Sequence, residues 1–296
     1  MGKIWELDFY SRPIVDENKK KVWEVLICES STDIKDSSEL TFRYAQFCPN
    51  NQVNSVWLHK AIESAMAQSG QTPQKVRFFR IQMNNMITKA CEELGIPAYP
   101  SRRTFNLNTW IKERMAEVYP HYPGFVPSVS NPSVLIQSQP PQALPEALIG
   151  TKYAFVSLPA SAFTEMPEWE IGFQEAFPLQ ARGVKPDDII PGIIIFSDRA
   201  LPLAAWISGL DLAGVKFESV PQARLLLETG VTDSWILANI KDQAAVGQAK
   251  GFEEAKHRAR QVHFIAVQSD PQAESFAGFW LLQDLDPADA TLREQL

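Results

Sequence analysis

Between Tyr119 and Gly150 lie seven prolines, Pro120, Pro123, Pro127, Pro132, Pro140, Pro141 and Pro145, interleaved with Ser, Gln and Asn. Each removes a backbone donor and fixes φ, so no regular helix or central strand can run through this stretch. The chain is thereby divided. Residues 1–119 and 151–296 are expected to fold as two α/β domains, with 120–150 as a proline-rich linker or an arm lying on one of them. A length of 296 residues agrees, because single domains usually hold ~100–200 residues. The polar tail from Asp286 to Leu296 is expected to fray.

Both halves have material for a core: 45% of residues are apolar, with eight Trp and seventeen Phe. No apolar run reaches the ~20 residues that cross a bilayer, so no integral membrane segment is expected. The start, Met1-Gly2-Lys3-Ile4-Trp5-Glu6, has neither the order of a secretion signal nor the bias of a transit peptide. The chain is therefore expected to stay in its compartment of synthesis. Cys28, Cys48 and Cys91 are dispersed and odd in number, which argues for reduced, buried thiols over disulfides or a zinc site.

The net charge of −7 is unevenly spread: residues 1–125 carry 16 basic and 14 acidic side chains, a balance of +2, and the remainder −9. Phosphate contacts depend on Lys and Arg, so this points any nucleic-acid contact at the N-terminal half.

In that half, residues 4–12 and 21–29 flank the polar turn Asp16-Glu17-Asn18-Lys19 and read as a β-hairpin. After the acidic loop from Glu29 to Glu39, a strand follows at Thr41–Cys48. A helix capped by Asn54 or Ser55 runs to Gln68, where Gly70 stops it. Lys75–Ile81 reads as a strand, Asn84–Leu94 as a helix, Ile96–Tyr99 as a strand and Leu107–Val118 as a helix. The order βββαβαβα is that of the ribonuclease H-like fold: three antiparallel strands, then parallel additions with helices on the faces. In the other half, strands are expected at 152–158, 189–196, 215–219, 234–240, 262–268 and 278–283. Helices are expected at 201–209, 222–228 and 248–260.

A ribonuclease H-like order raises the question of a two-metal nuclease, which needs carboxylates on the first strand, the first helix and the end of the fourth strand. Asp8 and Glu63 fill two places, but Lys75-Val76-Arg77-Phe78-Phe79-Arg80-Ile81-Gln82 supplies none. Structural roles for Glu6 and Asp8, pairing with arginine or capping a turn, are the alternative. Phosphate loops, nucleophile elbows and helical His pairs are missing from the sequence, so neither cofactor nor metal is expected.

Binding has better material. Lys75, Arg77 and Arg80 interleave with Phe78 and Phe79, and Arg102 and Arg103 follow Tyr99 and Pro100. Single-stranded RNA is held by cations on phosphates and by aromatic or guanidinium planes on bases. Lys75, Arg77, Arg80, Tyr99, Arg102 and Arg103 are therefore the candidate RNA-binding residues. The competing reading has Phe78 and Phe79 filling the core on both faces of a central strand, with the arginines pairing carboxylates at its ends. In the C-terminal half, Asp198-Arg199 lies at a strand end where ligand crevices form. Lys256-His257-Arg258-Arg260 reads as a solvated helix face.

Two further segments carry no such chemistry but are distinctive: Trp5-Glu6-Leu7-Asp8-Phe9-Tyr10-Ser11-Arg12-Pro13 and Gly278-Phe279-Trp280-Leu281-Leu282-Gln283-Asp284. With Arg77–Met83 and Pro100–Thr104, they make the chain resemble the Tab/Atab family of oxygenic photosynthetic organisms, RNA-binding activators of translation of the photosystem I PsaB subunit. The resemblance implies a non-catalytic protein that binds a single-stranded mRNA leader and serves photosystem biogenesis. It implies a cyanobacterial cytoplasm, or the chloroplast stroma for a chain trimmed from a plant or algal precursor. The ribosome or photosystem assembly proteins are further expected partners. The alternatives are a protein-binding assembly factor and a degenerate metal-dependent nuclease.

Overall fold

Strands β1 (Ile4–Val15) and β2 (Lys21–Ser30) form the hairpin that the polar turn predicts, closed by Asp16, whose Oδ1 accepts from the Asn18 and Lys20 amides. A computed structural model describes residues 3–36, 42–126 and 139–285. The acidic loop beyond residue 36, the centre of the proline-rich stretch (127–138) and the tail from 286 lie outside the described residues. Two compact units emerge, the first containing residues 3–31 and 42–126, the second 139–285 with 32–36.

In the first unit, β3 (Arg43–Cys48), α1 (Ser55–Ser69), β4 (Lys75–Phe78), α2 (Asn84–Glu92), β5 (Ala98–Pro100) and α3 (Phe105–Glu117) follow the hairpin in the expected order βββαβαβα. The sheet order is β3-β2-β1-β4-β5; the first three strands are antiparallel, and β4 and β5 run parallel to β1. Asn54 accepts the Trp57 amide at 2.9 Å, and Gly70, at φ +68°, closes α1 in the left-handed region. These are the start and stop the sequence marks. The strand expected to reach Ile81 ends at Phe78, because a 3-10 turn begins at Arg80, whose carbonyl accepts from Met83.

Trp5, Leu7 and Phe9 alternate onto one face of β1 and pack with Phe78 against α1 and α2. Leu26, Cys28 and Phe79 pack under α3 on the other. Phe78 and Phe79 thus fill the core on opposite faces, and the aromatic segment at Trp5 is interior. A buried side chain of this size contributes about 1.5–3 kcal/mol.

In the second unit, β6 (Gln142–Ala143) is followed by β7 (Lys152–Pro159), β8 (Ile171–Glu175), β9 (Ile189–Phe196), α4 (Ala200–Ser208), β10 (Leu212–Glu218), β11 (Arg224–Thr229), β12 (Asp233–Asn239), α5 (Gln243–Arg258), β13 (Val262–Gln268) and β14 (Phe276–Gln283). They form two sheets, β10-β11-β12-β6 and β7-β9-β13-β14-β8. Phe279, Trp280, Leu281 and Leu282 are buried, so this signature too is core. Gly192 is required: a Cβ there would lie 2.2 Å from the Phe264 ring, which stacks on Phe279 at 5.0 Å.

In this unit two expectations are corrected. Residues 222–228 are not a helix; Leu225, Leu226 and Leu227 belong to β11, a central strand flanked by β10 and β12. Helix-favouring leucines are overridden by pairing on both sides. Lys256 is not solvated. It is fully buried, with Nζ 2.5 Å from Asp284 and donating at 2.7 Å to the Val215 carbonyl. His263 Nε2 accepts from the Val215 amide and Glu253 from the Phe217 amide, so three side chains serve the backbone of β10 at its sheet edge.

The described ends of the proline-rich stretch are packed. Gly124 accepts from the Val15 amide, while β6 pairs with β12 and Leu144 enters the second unit's core.

Candidate nucleic-acid interface

Parallel pairing of β4 and β5 sets Arg77 beside Tyr99 and Phe78 beside Pro100, and the Ser101 amide bonds the Phe78 carbonyl at 2.8 Å. Arg80 and the Arg102–Arg103 turn therefore leave the same end of the sheet. Lys75 is at the other end of β4, in register with Ile4. Tyr99 is 47% exposed, and Lys75 and Arg102 are half-buried. Arg77, Arg80 and Arg103 are interior, between 3% and 5% exposed. Three of the six candidates thus reach solvent and three are built into the unit.

Arg80 belongs to a buried charge network that spacing alone did not reveal. Arg80 Nε donates to Asp8 at 2.6 Å and Arg12 to Asp8 at 2.8 Å. Arg12 also donates to Glu24 at 3.1 Å; Glu24 further accepts from Arg114 and, at 2.6 Å, from the Tyr119 hydroxyl. Glu6 accepts the Leu107 amide at 2.7 Å, an N-terminal cap for α3 supplied from β1 because Thr104 makes no side-chain cap. Burial pushes the Asp8 carboxyl up, but Arg80 and Arg12 outweigh it and hold the group below its ordinary value. Burial likewise raises Tyr119, opposed by Arg12 and reinforced by Glu24. Asp8 and Glu6 therefore take the structural roles, pairing and capping, that compete with metal ligation. Among the described residues no group of three His, Cys, Asp or Glu side chains is placed to hold a metal ion. The nearest signal in the sequence was Asp8 and Arg12, four apart on one strand; a register shift between Ser11 and Val15 bends that strand near Arg12.

A second grouping also escaped the sequence. Buried Phe9 stacks on Trp57 (centroids 5.4 Å apart, planes at 13°) and meets Trp23 at 5.5 Å. Tyr10 meets Trp23 edge-on at 5.5 Å and carries the Arg80 guanidinium 3.8 Å from its ring centroid. Both indoles and Tyr10 are half-buried. Trp23 and Trp57 are 34 positions apart, and only the packing of β2 and α1 around Phe9 joins them.

Comparison with known proteins covers both units. Residues 4–114 match the family described as RNA-binding protein Tab2/Atab2 N terminal, and residues 131–283 the RNA-binding protein Tab2/Atab2, C-terminal domain. Protein TAB2 homolog, chloroplastic, of Zea mays is 39% identical over 290 residues, spanning 96% of this chain and 72% of the maize protein. Its Arabidopsis thaliana counterpart is 38% identical over 292 residues, spanning 96% of this chain and 75% of its own length. No helix among the described residues is long and apolar enough to cross a membrane.

Proposed function

The chain belongs to the family of RNA-binding Tab2/Atab2 proteins, and on that premise we propose that it binds the single-stranded leader of a photosystem reaction-centre message and acts in its translation and in photosystem biogenesis. The observation that carries the reading is the match of both family domains along one chain, with relatives aligned over 96% of it. The physical chemistry agrees in one respect. The positive half of the charge distribution is the first 125 residues, where phosphate contacts are cheapest.

In this reading the contact falls on residues 1–119, with Tyr99 as a stacking ring and Arg102 and Lys75 as phosphate partners. Arg77, Arg80 and Arg103 support that surface from inside. Binding of this kind requires neither cofactor nor catalytic centre. The compartment is one where photosystem subunits are translated, the chloroplast stroma or a cyanobacterial cytoplasm.

Fluorescence anisotropy with a labelled reaction-centre leader and a scrambled control, across a salt series, tests the reading. Leader-selective binding that weakens as salt rises is expected, because each neutralised phosphate releases counterions. An absence of binding at low salt, with a protein partner retained after nuclease treatment, would replace it with an assembly-factor role.

A further inference from the structure

We propose, resting on the RNA reading above, that unpaired RNA bases stack on the rim shared by the β1–β2 hairpin and the first turn of α1, with Trp23 and Trp57 as platforms and Lys19, Lys20 and Lys60 on the phosphates. Each indole has one side fixed by contact with buried Phe9 and is itself half-buried, so its ring is held in place while part of it meets solvent. A ring immobilised in this way gives up little entropy when a base covers it.

The same rim exposes apolar surface and cations together. Val56, beside Trp57, is 58% exposed. Lys60 is four residues further along α1, which places it on the same helical face, and it too is exposed. At the hairpin tip Lys19 and Lys20 are exposed. The strand end next to that tip is tied to the turn preceding α1, because Asn50 donates to the Lys21 carbonyl at 3.1 Å. The tip lysines thus stand at the sheet end from which the chain enters the helix that carries Trp57. The acidic side chains of the rim are Asp16, Glu17 and Glu63. Asp16 is engaged by turn amides, and Glu63 faces His59 at 3.4 Å.

The occupant follows from this chemistry. A duplex hides its base faces, whereas a single strand presents a π-face at every nucleotide and a phosphate between each pair. Indoles and ammonium groups on one rim match a single strand. An apolar protein partner would have no use for the lysines.

The test uses the full chain and a short thiouridine-labelled single-stranded RNA. Photocrosslinked peptides are mapped, and affinity is measured for Trp23→Leu, Trp57→Leu and Lys19→Glu/Lys20→Glu. Crosslinks to peptides holding Trp23 and Trp57 are expected, with binding about tenfold weaker for Trp57→Leu. The lysine pair lies on an exposed turn, so its variant keeps the fold and reads the site independently; its salt slope should fall by about 2. Crosslinks confined to Tyr99 and Arg102, with every rim variant binding normally, would overturn this assignment and leave the RNA reading standing. Rim variants that bind RNA normally but lose a nuclease-resistant protein partner would also overturn it. No RNA binding by the unaltered chain would remove both readings.

Discussion

Arg80 reaches Asp8 with its Nε at 2.6 Å while its guanidinium carbon lies 3.8 Å from the centre of the Tyr10 ring. One side chain thus joins the end of β4 to the middle of β1 by charge and by stacking, in an interior that leaves Arg80 only 4% exposed. A desolvated pair is costly to form but much costlier to break singly, since the survivor is left charged and alone. Arg80→Ala is expected to lower unfolding free energy by about 3–5 kcal/mol, read as a shift in the urea midpoint at constant slope. A loss under 1 kcal/mol would mean that Arg12 alone satisfies Asp8.

Acid should expose the same network. The Asp8 pKa is held below its ordinary value of 3.8, so its contribution is complete above that value and is lost as pH falls through the lower, folded-state value. Stability measured by denaturant titration should therefore drop steeply below about pH 4. Asp8→Asn should flatten that part of the profile while lowering stability at neutral pH. An unchanged acid slope in Asp8→Asn would assign acid lability to other carboxylates.

In the second unit, Lys256 bridges Asp284 and Glu253 and occupies the Val215 carbonyl. Lys256→Met keeps much of the stem's volume but leaves two carboxylates without their cation and a carbonyl without its donor. A loss of about 3–5 kcal/mol is expected, measured as an earlier thermal transition. A variant as stable as the parent would show that water replaces the ammonium at little cost.

The periodic parts of this fold were legible because local and tertiary preferences agree there. Asn54 and Gly70 bound α1 in sequence and in space, and the β1–β2 turn is set by Asp16. Residues 222–228 misled because leucine favours helices locally, while β10 and β12 pair with that segment from both sides. Of the candidate site, the residue types were legible, and parallel pairing of β4 and β5 puts Arg80 and Arg102 at one sheet end. Their depth was not legible. Arg77, Arg80 and Arg103 carry the same charge as Arg102, and only burial in the folded unit separates interior cations from accessible ones. The Trp23–Phe9–Trp57 grouping is likewise a product of tertiary contact between distant segments.

The thiols give a simpler check. Cys28, Cys48 and Cys91 are buried, and burial pushes Cys48 up to about 11 and Cys91 up to about 12. Thiolate is the reactive form, so alkylation under native conditions at neutral pH should be slow at all three and fast once the chain is unfolded. Mass spectrometry after timed iodoacetamide exposure reads this directly. Rapid native labelling of Cys91 would mean that α2 opens readily.

The last prediction separates exposure from charge among the sequence-selected arginines. Arg102 is half-buried, whereas Arg103 is 5% exposed beside it. If Arg102 touches a phosphate, Arg102→Ala should reduce the salt slope of RNA binding by about 1 and weaken all sequences alike. Tyr99→Ala should weaken binding through lost stacking, about 1–3 kcal/mol, with the slope unchanged. Arg103→Ala should act through stability, so its binding defect should vanish at temperatures well below its melting transition. Equal salt-slope changes for Arg102→Ala and Arg103→Ala would show that Arg103 swings out to meet RNA and is part of the binding surface rather than its support.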